Sequence, residues 1–344
     1  MTPVKKLALL GFGNAGQAFA KMLLEKHEDI KNLYGYDVVV TAIATNSKGN
    51  LVDSNGINLK EALDDLNKCG KFCNETQLTK MSTLEIVKEA DYDVLVEMTP
   101  LNIFTGQPAI EHIETAFGRK KDAITANKGP IAWKFKDLRD RAKEQGVKFF
   151  YETTVMDGTP VFNFAEKTLQ MAKVTEVSGI LNSTTNFILE ELAAGADYDD
   201  IMARGREMGF IEADPAMDIE GYDAAAKITA LLNVLMDANI TPDMVDRKGI
   251  EDITVDDIKA AAERGNVIKL LCKGTRDEEG NVKASVKPEE VPRGDMLASI
   301  DSTTSVVSIT TDLMKTVSVV EHQPEIEQTA YGVFGDVLRV LSEK

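Results

Sequence analysis

A short apolar run, Leu7 to Leu10, meets Gly11-Phe12-Gly13-Asn14-Ala15-Gly16 with nothing between them. Glycines at this spacing, after a strand and opening a helix, leave few folds open to the chain. Gly11 permits a tight turn, Gly13 leaves room for a ligand to approach the main chain, and Gly16 lets the helix pack close to the strand. The helix N-terminus then offers its unpaired N–H groups to an anion. The turn is therefore the expected cradle of a dinucleotide pyrophosphate, with Gly11, Phe12, Gly13, Asn14, Ala15 and Gly16 as cofactor-binding residues.

The pattern beyond the turn agrees. Strand-like runs at Lys6 to Leu10, Asp37 to Ala44, Val94 to Glu97, Asp122 to Thr125 and Val147 to Tyr151 alternate with helical spacing at Asn14 to Lys26, Leu59 to Asn67, Thr83 to Glu89, Pro108 to Phe117 and Phe135 to Glu144. Such alternation predicts an α/β fold, a Rossmann-type doubly wound parallel sheet. The second half reads as α+β. Strands are expected at Val174 to Leu181, Val267 to Lys273, Val282 to Val286, Ser305 to Thr310 and Val317 to Val320, and helices at Thr184 to Ala194 and Gly221 to Met236. We expect a nucleotide-binding domain at 1–135, a substrate-binding, catalytic and dimerisation domain at 136–324, and a C-terminal helix at 325–344 that returns to the first domain. A chain of 344 residues suits two domains, which usually hold about 100 to 200 residues each.

Charge and residue usage exclude several classes. A formal charge of -17 disfavours nucleic acid and anionic membrane, which need clustered Lys and Arg. No targeting peptide is read at either terminus, and no run approaches the roughly 18 apolar residues of a membrane span. A cytoplasmic location is expected. Cys69, Cys73 and Cys272 form no metal-ligand pattern, and three His in the whole chain argue against a zinc site.

The end of the second strand bears on the cofactor. An acid there would bind the adenosine ribose diol and favour NAD, but the chain reads Thr45-Asn46-Ser47-Lys48. A neutral side chain followed by Lys48 can accept a 2′-phosphate, which points to NADP. Lys48 as an ordinary solvated loop lysine stays open, as does use of both NAD and NADP.

A second constellation lies in the other half. Asp223 and Lys227 are four apart on a helix and share a face. Ala224, Ala225, Ala226, Ile228, Ala230, Leu231, Leu232, Val234 and Leu235 leave that helix almost no wide polar face. The pair is therefore expected to line a cleft, where a partly desolvated lysine can serve proton transfer, in preference to a surface ion pair. Carboxylates precede it in Glu212-Ala213-Asp214-Pro215, either as an acidic loop in an acidic protein or as contacts for a cationic group of a ligand.

Four segments, in order, join the glycine turn: Thr125-Ala126-Asn127-Lys128, ETTVMDGTP at 152–160, GILNSTTNFIL at 179–189 and GFIEADPAMDIEGYDAAAK at 209–227. Together they resemble the homoserine dehydrogenase family over most of the chain, in a short form without an aspartate kinase or ACT regulatory domain. The resemblance implies NAD(P)-dependent interconversion of L-aspartate 4-semialdehyde and L-homoserine, a step of threonine and methionine biosynthesis, by a homodimer. It implies that Lys227 is the proton donor, held by Asp223, with Lys128 near the same oxygen and the nicotinamide. It also implies that Glu212 and Asp218 face the ammonium and hydroxyl end of the substrate, that Asn182 and Thr184 lie at its carboxylate, and that Thr99 and Pro100 lie over the nicotinamide ribose. Within GILNSTTNFIL, Ser183 or Thr184 is the expected helix cap.

By position, Glu152, Val155, Asp157 and Thr159 would hold a monovalent cation such as sodium. The family loop there is rich in glycine, and here Met156 and Asp157 replace small residues. A glycine-rich loop near the family's C-terminus is replaced by Val320-Glu321-His322-Gln323-Pro324-Glu325. Three rival readings follow. A dehydrogenase of a different amino acid is motivated by that altered loop, a catalytically silent NAD(P)-binding regulator is possible on the same fold, and an aspartate semialdehyde dehydrogenase would need a cysteine nucleophile that no motif supplies.

Overall fold

A strand buried on both faces has no reason to alternate apolar with polar residues. The computed structural model describes residues 2–211 and 214–343, and in it the run before the glycine turn is β1 (Val4–Leu10). Leu7 and Leu9 enter one core cluster, while Ala8 and Leu10 enter another on the opposite face. From there the chain forms α1 (Asn14–Tyr34), β2 (Asp37–Ala44), β3 (Asn50–Val52), α2 (Leu59–Cys69), β4 (Leu78–Thr79) and α3 (Thr83–Glu89). It continues through β5 (Val94–Glu97), α4 (Ala109–Gly118), β6 (Asp122–Thr125), α5 (Lys128–Gln145) and β7 (Phe149–Phe150).

The strand order is β4-β3-β2-β1-β5-β6-β7. Five strands run parallel, and the order reverses between β1 and β5, the switch point at which doubly wound sheets bind ligands. β3 and β4 are antiparallel additions at one edge that were not expected, being too short to show a period. Helix α1 runs past the expected Lys26 to Gly35, which adopts a left-handed φ of 74° and returns its N–H to Lys31. Only Ile30 is buried in that added stretch, so the polar residues around it masked the helix.

The first compact unit comprises Met1–Pro160 and Glu325–Lys344. It therefore extends past the boundary expected at 135, because α5 starts at Lys128 and β7 pairs with β6. The C-terminal helix (Ile326–Ser342) belongs to this unit. Ala330, Val333, Phe334, Val337, Val340 and Leu341 share a core with Phe19, Leu23 and Ile30 of α1.

The second unit, Val161–Pro324, is built separately. Its elements are α6 (Val161–Thr168), β8 (Val174–Ile180), α7 (Ser183–Ala193), α8 (Tyr198–Glu207), α9 (Ala216–Ile219) and α10 (Tyr222–Met236). They are followed by β9 (Asp246–Arg247), α11 (Val255–Glu263), β10 (Asn266–Arg276), β11 (Val282–Pro292), β12 (Ser305–Thr311) and β13 (Lys315–Glu321). The sheet order is β13-β12-β8-β10-β11-β9, antiparallel except between β11 and β9. Helix α10 packs against β8, β10 and β11. Among the described residues, no helix is long and apolar enough to cross a membrane.

The C-terminal helix seats tightly against the 152–160 loop because glycines stand on both sides of the contact, Gly332 on the helix and Gly158 on the loop. A Cβ on Gly332 would stand 2.5 Å from Thr153 Oγ1 and 2.8 Å from the Cα of Gly158, whereas a Cβ on Gly335 would meet nothing within 4 Å. Gly332→Ala should therefore destabilise the fold through overpacking by ~1–3 kcal/mol and lower the melting temperature. Gly335→Ala should stabilise it by ~0.5–1 kcal/mol and raise the melting temperature, because alanine favours the helix. Thermal melts of both variants decide; equal shifts would mean that the helix is not held at Gly332.

Candidate active site

At the switch point the glycine turn behaves as its residue types require. Gly11 has a φ of 92°, and a Cβ there would lie 2.3 Å from the carbonyl oxygen of Met98. Its N–H donates to Ala44 O at 2.9 Å, which ties the turn to the end of β2. A Cβ on Gly16 would stand 2.8 Å from Gly11 O, so α1 packs directly on the turn. Gly13 is different: a Cβ there would meet nothing within 4 Å. Gly13 caps α1 without any side-chain hydrogen bond, and the first turn of α1 carries no acid. Gly13 and Asn14 are exposed, Ala15 is half-buried, and Phe12 is buried against Phe72. An open, uncapped helix N-terminus fits a pyrophosphate.

Lys48 stands beside this turn. Its ammonium donates to Phe12 O at 2.8 Å, and its backbone N–H donates to Thr45 Oγ1 at 2.9 Å. It is thus directed to the cradle, unlike a lysine extended into solvent.

The ends of β5 and β6 gather Thr99, Pro100 and Lys128. Asn127 joins them: its amide donates to Thr99 O at 3.1 Å and to Pro100 O at 3.5 Å. Its Oδ1 accepts the Gly129 N–H at 2.9 Å and so caps α5, whose first residue is the half-buried Lys128. Asn127 is a functional candidate that sequence reasoning passed over, although its type at a helix cap was a usable signal. Two further residues were missed entirely, Glu97 and His112, which form a buried pair beneath Thr99.

The second unit carries the other cluster. Lys227 Nζ lies 3.0 Å from Asp223 Oδ2, with 21% and 15% of the two side chains exposed. It also donates to Leu181 O at 2.8 Å. Asn182 Nδ2 donates to Asp218 Oδ1 at 2.6 Å and to Asp223 Oδ2 at 3.0 Å, bridging two carboxylates. Its Oδ1 accepts from Thr185 N at 2.9 Å. Asn182, and neither Ser183 nor Thr184, is therefore the cap of α7, which corrects the expectation. Asn182 alone has the extended backbone that a cap needs while its amide still has two carboxylates to reach.

Thr184 is buried beside Asp218. Burial raises the Asp218 carboxyl above its ordinary range, with the Asp223 charge adding to the rise and Asn182, Lys227 and Thr184 opposing it. Two carboxyl groups and one ammonium are thus gathered around Asn182. Glu212 lies outside the described residues. Cys272 is buried on β10, and burial pushes its thiol up to about 12. Cys73 is exposed, and its thiol is raised by a hydrogen bond with Cys69. Neither is an activated nucleophile.

The loop from Glu152 holds the proposed cation ligands in the first unit. Glu152 and Val155 are buried, and Asp157 Oδ1 accepts from Thr329 Oγ1 at 2.7 Å. The N–H of Thr159 donates to Met156 O at 2.9 Å. Glu152 N donates to Asp336 Oδ2 at 2.9 Å. Thr153 Oγ1 and Asp336 Oδ1 are buried with no hydrogen-bond partner among the described residues. Burial raises the Asp336 carboxyl to about 8. The oxygens left without a partner on this loop and on Asp336, which Glu152 contacts, are of the type that a hard cation takes. Among the described residues, no group of three His, Cys, Asp or Glu side chains is arranged for a metal.

A doubly wound sheet with an open glycine cradle at its switch point, and a lysine–carboxylate cluster on a separate α+β unit, together describe an NAD(P)-dependent oxidoreductase of a small polar substrate. Residues 11–152 match the family model of the homoserine dehydrogenase NAD binding domain, and residues 160–338 match that of homoserine dehydrogenase itself. The chain belongs to the homoserine dehydrogenase family.

It is 38% identical over 341 residues to the homoserine dehydrogenase of Methanocaldococcus jannaschii, covering 98% of each. It is 32% identical over 336 residues to the NAD(+)-dependent homoserine dehydrogenase of Pseudomonas canavaninivorans, covering 97% of this chain and 96% of that one. A hyperthermophilic archaeal homoserine dehydrogenase solved in complex with NADPH superposes with a TM-score of 0.82 at 26% identity, covering 98% of this chain and 97% of that chain.

Proposed function

We propose that the protein interconverts L-aspartate 4-semialdehyde and L-homoserine, with Lys227 as the proton donor and acceptor. The observation that carries this reading is the half-buried Lys227 ammonium fixed between Asp223 and Leu181 O. When bound, the cofactor would supply hydride to the aldehyde carbon of the semialdehyde or take it from the hydroxyl-bearing carbon of homoserine. Lys227 delivers the proton that the resulting alkoxide needs. Asp223 aims the ammonium, and Asn182 holds Asp223 in place. Asp218, with Glu212, is assigned to the substrate ammonium and hydroxyl end, and Asn182 with Thr184 at the start of α7 to its carboxylate. Lys128 stays assigned to the nicotinamide and to charge support in the reaction. Threonine and methionine formation as the pathway and a cytoplasmic setting belong to the same reading.

Purified protein should oxidise NADPH with aspartate semialdehyde and reduce NADP with homoserine. Lys227→Ala should lower kcat by about 100-fold to 10,000-fold, with cofactor binding intact. Absence of turnover in folded, cofactor-binding wild type would favour the silent regulator; an active Lys227→Ala variant with a lower melting temperature would make the pair structural.

NADP is proposed as the preferred cofactor, with NAD as a second. The support is Lys48 at the glycine turn and the absence of an acid in Thr45-Asn46-Ser47. Lys48→Ala should weaken NADPH binding far more than NADH binding in fluorescence titrations. Equal losses would reduce Lys48 to a brace for the Phe12 carbonyl.

A monovalent cation held by Glu152, Val155, Asp157 and Thr159 is part of the proposal, supported by the orphaned oxygens of Thr153 and Asp336. Sodium should then raise the melting temperature above an equal concentration of choline, and identical melts would remove the site. A homodimer is proposed because β13 forms an edge of its sheet and the β12–β13 turn exposes Leu313 and Met314. A monomeric mass by light scattering would contradict it.

A further inference from the structure

Strand β5 ends at the switch point on a carboxylate that water does not reach. Glu97 is fully buried, and His112 of α4 is 3% exposed. An ionised carboxylate is costly in such a place unless its oxygens are engaged, and both are. Oε1 accepts the backbone N–H of Thr99 at 2.8 Å and also the Thr99 hydroxyl. Oε2 lies 2.7 Å from His112 Nδ1, which must carry the hydrogen if Glu97 is ionised.

Packing alone does not call for this pair. The rest of the buried face of α4, Ala109, Ile110, Ile113, Ala116 and Phe117, is apolar, and an apolar pair of similar volume would be as stable or more so. What an apolar pair could not do is hold Thr99 by two of its donors. Thr99 O is in turn held by the Asn127 amide at 3.1 Å, and Asn127 caps the helix that begins with Lys128. One continuous set of hydrogen bonds thus runs from α4 through the end of β5 to the start of α5. It fixes the two chain segments that lie at the carboxyl ends of neighbouring strands, where a doubly wound sheet binds its ligand.

We propose that Glu97 and His112 are positioning residues for hydride transfer. They act through Thr99 and Asn127, setting the part of the nucleotide site that receives the nicotinamide and the placement of Lys128. The inference rests on the dehydrogenase reading above. The adenosine and pyrophosphate half of the cofactor is held elsewhere, at the glycine turn and Lys48, so the pair should govern how the ring is held and not whether the dinucleotide binds. Small misplacement of reacting groups slows chemistry steeply even when binding survives.

The test compares wild type with His112→Phe, which keeps bulk and loses the donor, and His112→Asn, whose amide can occupy the Nδ1 position. Three quantities are read: kcat, the primary deuterium isotope effect with NADPH deuterated at nicotinamide C4, and the affinities for NADPH and for 2′-phospho-ADP-ribose, which lacks the nicotinamide. His112→Phe should lower kcat roughly 10-fold to 100-fold, raise the isotope effect on kcat, and lose the extra affinity of NADPH over the fragment while fragment affinity is kept. His112→Asn should recover most of kcat. If His112→Phe does not fold, His112→Asn should still exceed His112→Gln, whose amide reaches the Nε2 position instead.

Unchanged kcat and isotope effect, or fragment affinity lost together with kcat, would overturn the proposal and leave the pair structural. So would equal activity of the Asn and Gln variants. An inactive wild type would strike the dehydrogenase reading instead, and the ratio of NADPH to fragment affinity would still decide whether His112 positions the ring.

Discussion

An ammonium group cannot leave water without partners, and in this molecule that constraint organises the second unit around Lys227. Helix α10 is buried along Ala224, Ala225, Ala226, Ile228 and the stretch from Thr229 to Asn233, because it packs on the sheet. A lysine on such a helix has few directions to point. Lys227 turns to Asp223 one turn earlier and to the carbonyl of Leu181, just after β8. The carboxylate so recruited then needs its own support, which Asn182 gives while it also engages Asp218 and caps α7. The end of β8, the cap of α7 and helix α10 are thus tied by a single charge.

The first unit follows a parallel logic with the sign reversed. There the chain prepares for an anion, and it does so by leaving donors open: Gly13 caps α1 with no side chain, and no acid occupies the first turn. Gly11 and Gly16 are small because backbone carbonyls stand where their Cβ atoms would be. The neighbouring strand ends are fixed by polar side chains that point inward, Glu97, His112 and Asn127, so that the open donors at the cradle are surrounded by residues with settled partners.

These two halves were unequally legible in the amino-acid sequence. Elements that bury both faces or end on clear caps were read to the residue, as with β2, β5, β6 and α3. Strands β3 and β4 were too short to carry a period, and α8, with Ile201, Met202 and Gly205 as its buried residues, too weakly apolar. Helix α11 did carry a usable signal, since Thr254 and Asp257 form a capping box.

At the sites, Asp223 and Lys227 could be paired because they are neighbours on one helix. Glu97 and His112 could not, since only the packing of α4 on β5 brings them together. The choice of Asn182 over Ser183 as cap depended on a backbone angle that no sequence displays. In the two loops that the resemblance singled out as altered, Met156, Asp157 and Gln323 all have positive φ, at 56°, 47° and 45°. Strain of this kind persists only where the surroundings enforce it.

The central claim is that the Lys227 ammonium meets the reacting oxygen. A crystal structure of the protein with NADP and homoserine bound tests it most directly. The account predicts the homoserine hydroxyl oxygen within about 2.6–3.2 Å of Lys227 Nζ, with Asp223 still bonded to the same nitrogen. A homoserine hydroxyl lying away from Lys227, with the lysine bonded to Asp223 and Leu181 alone, would contradict it.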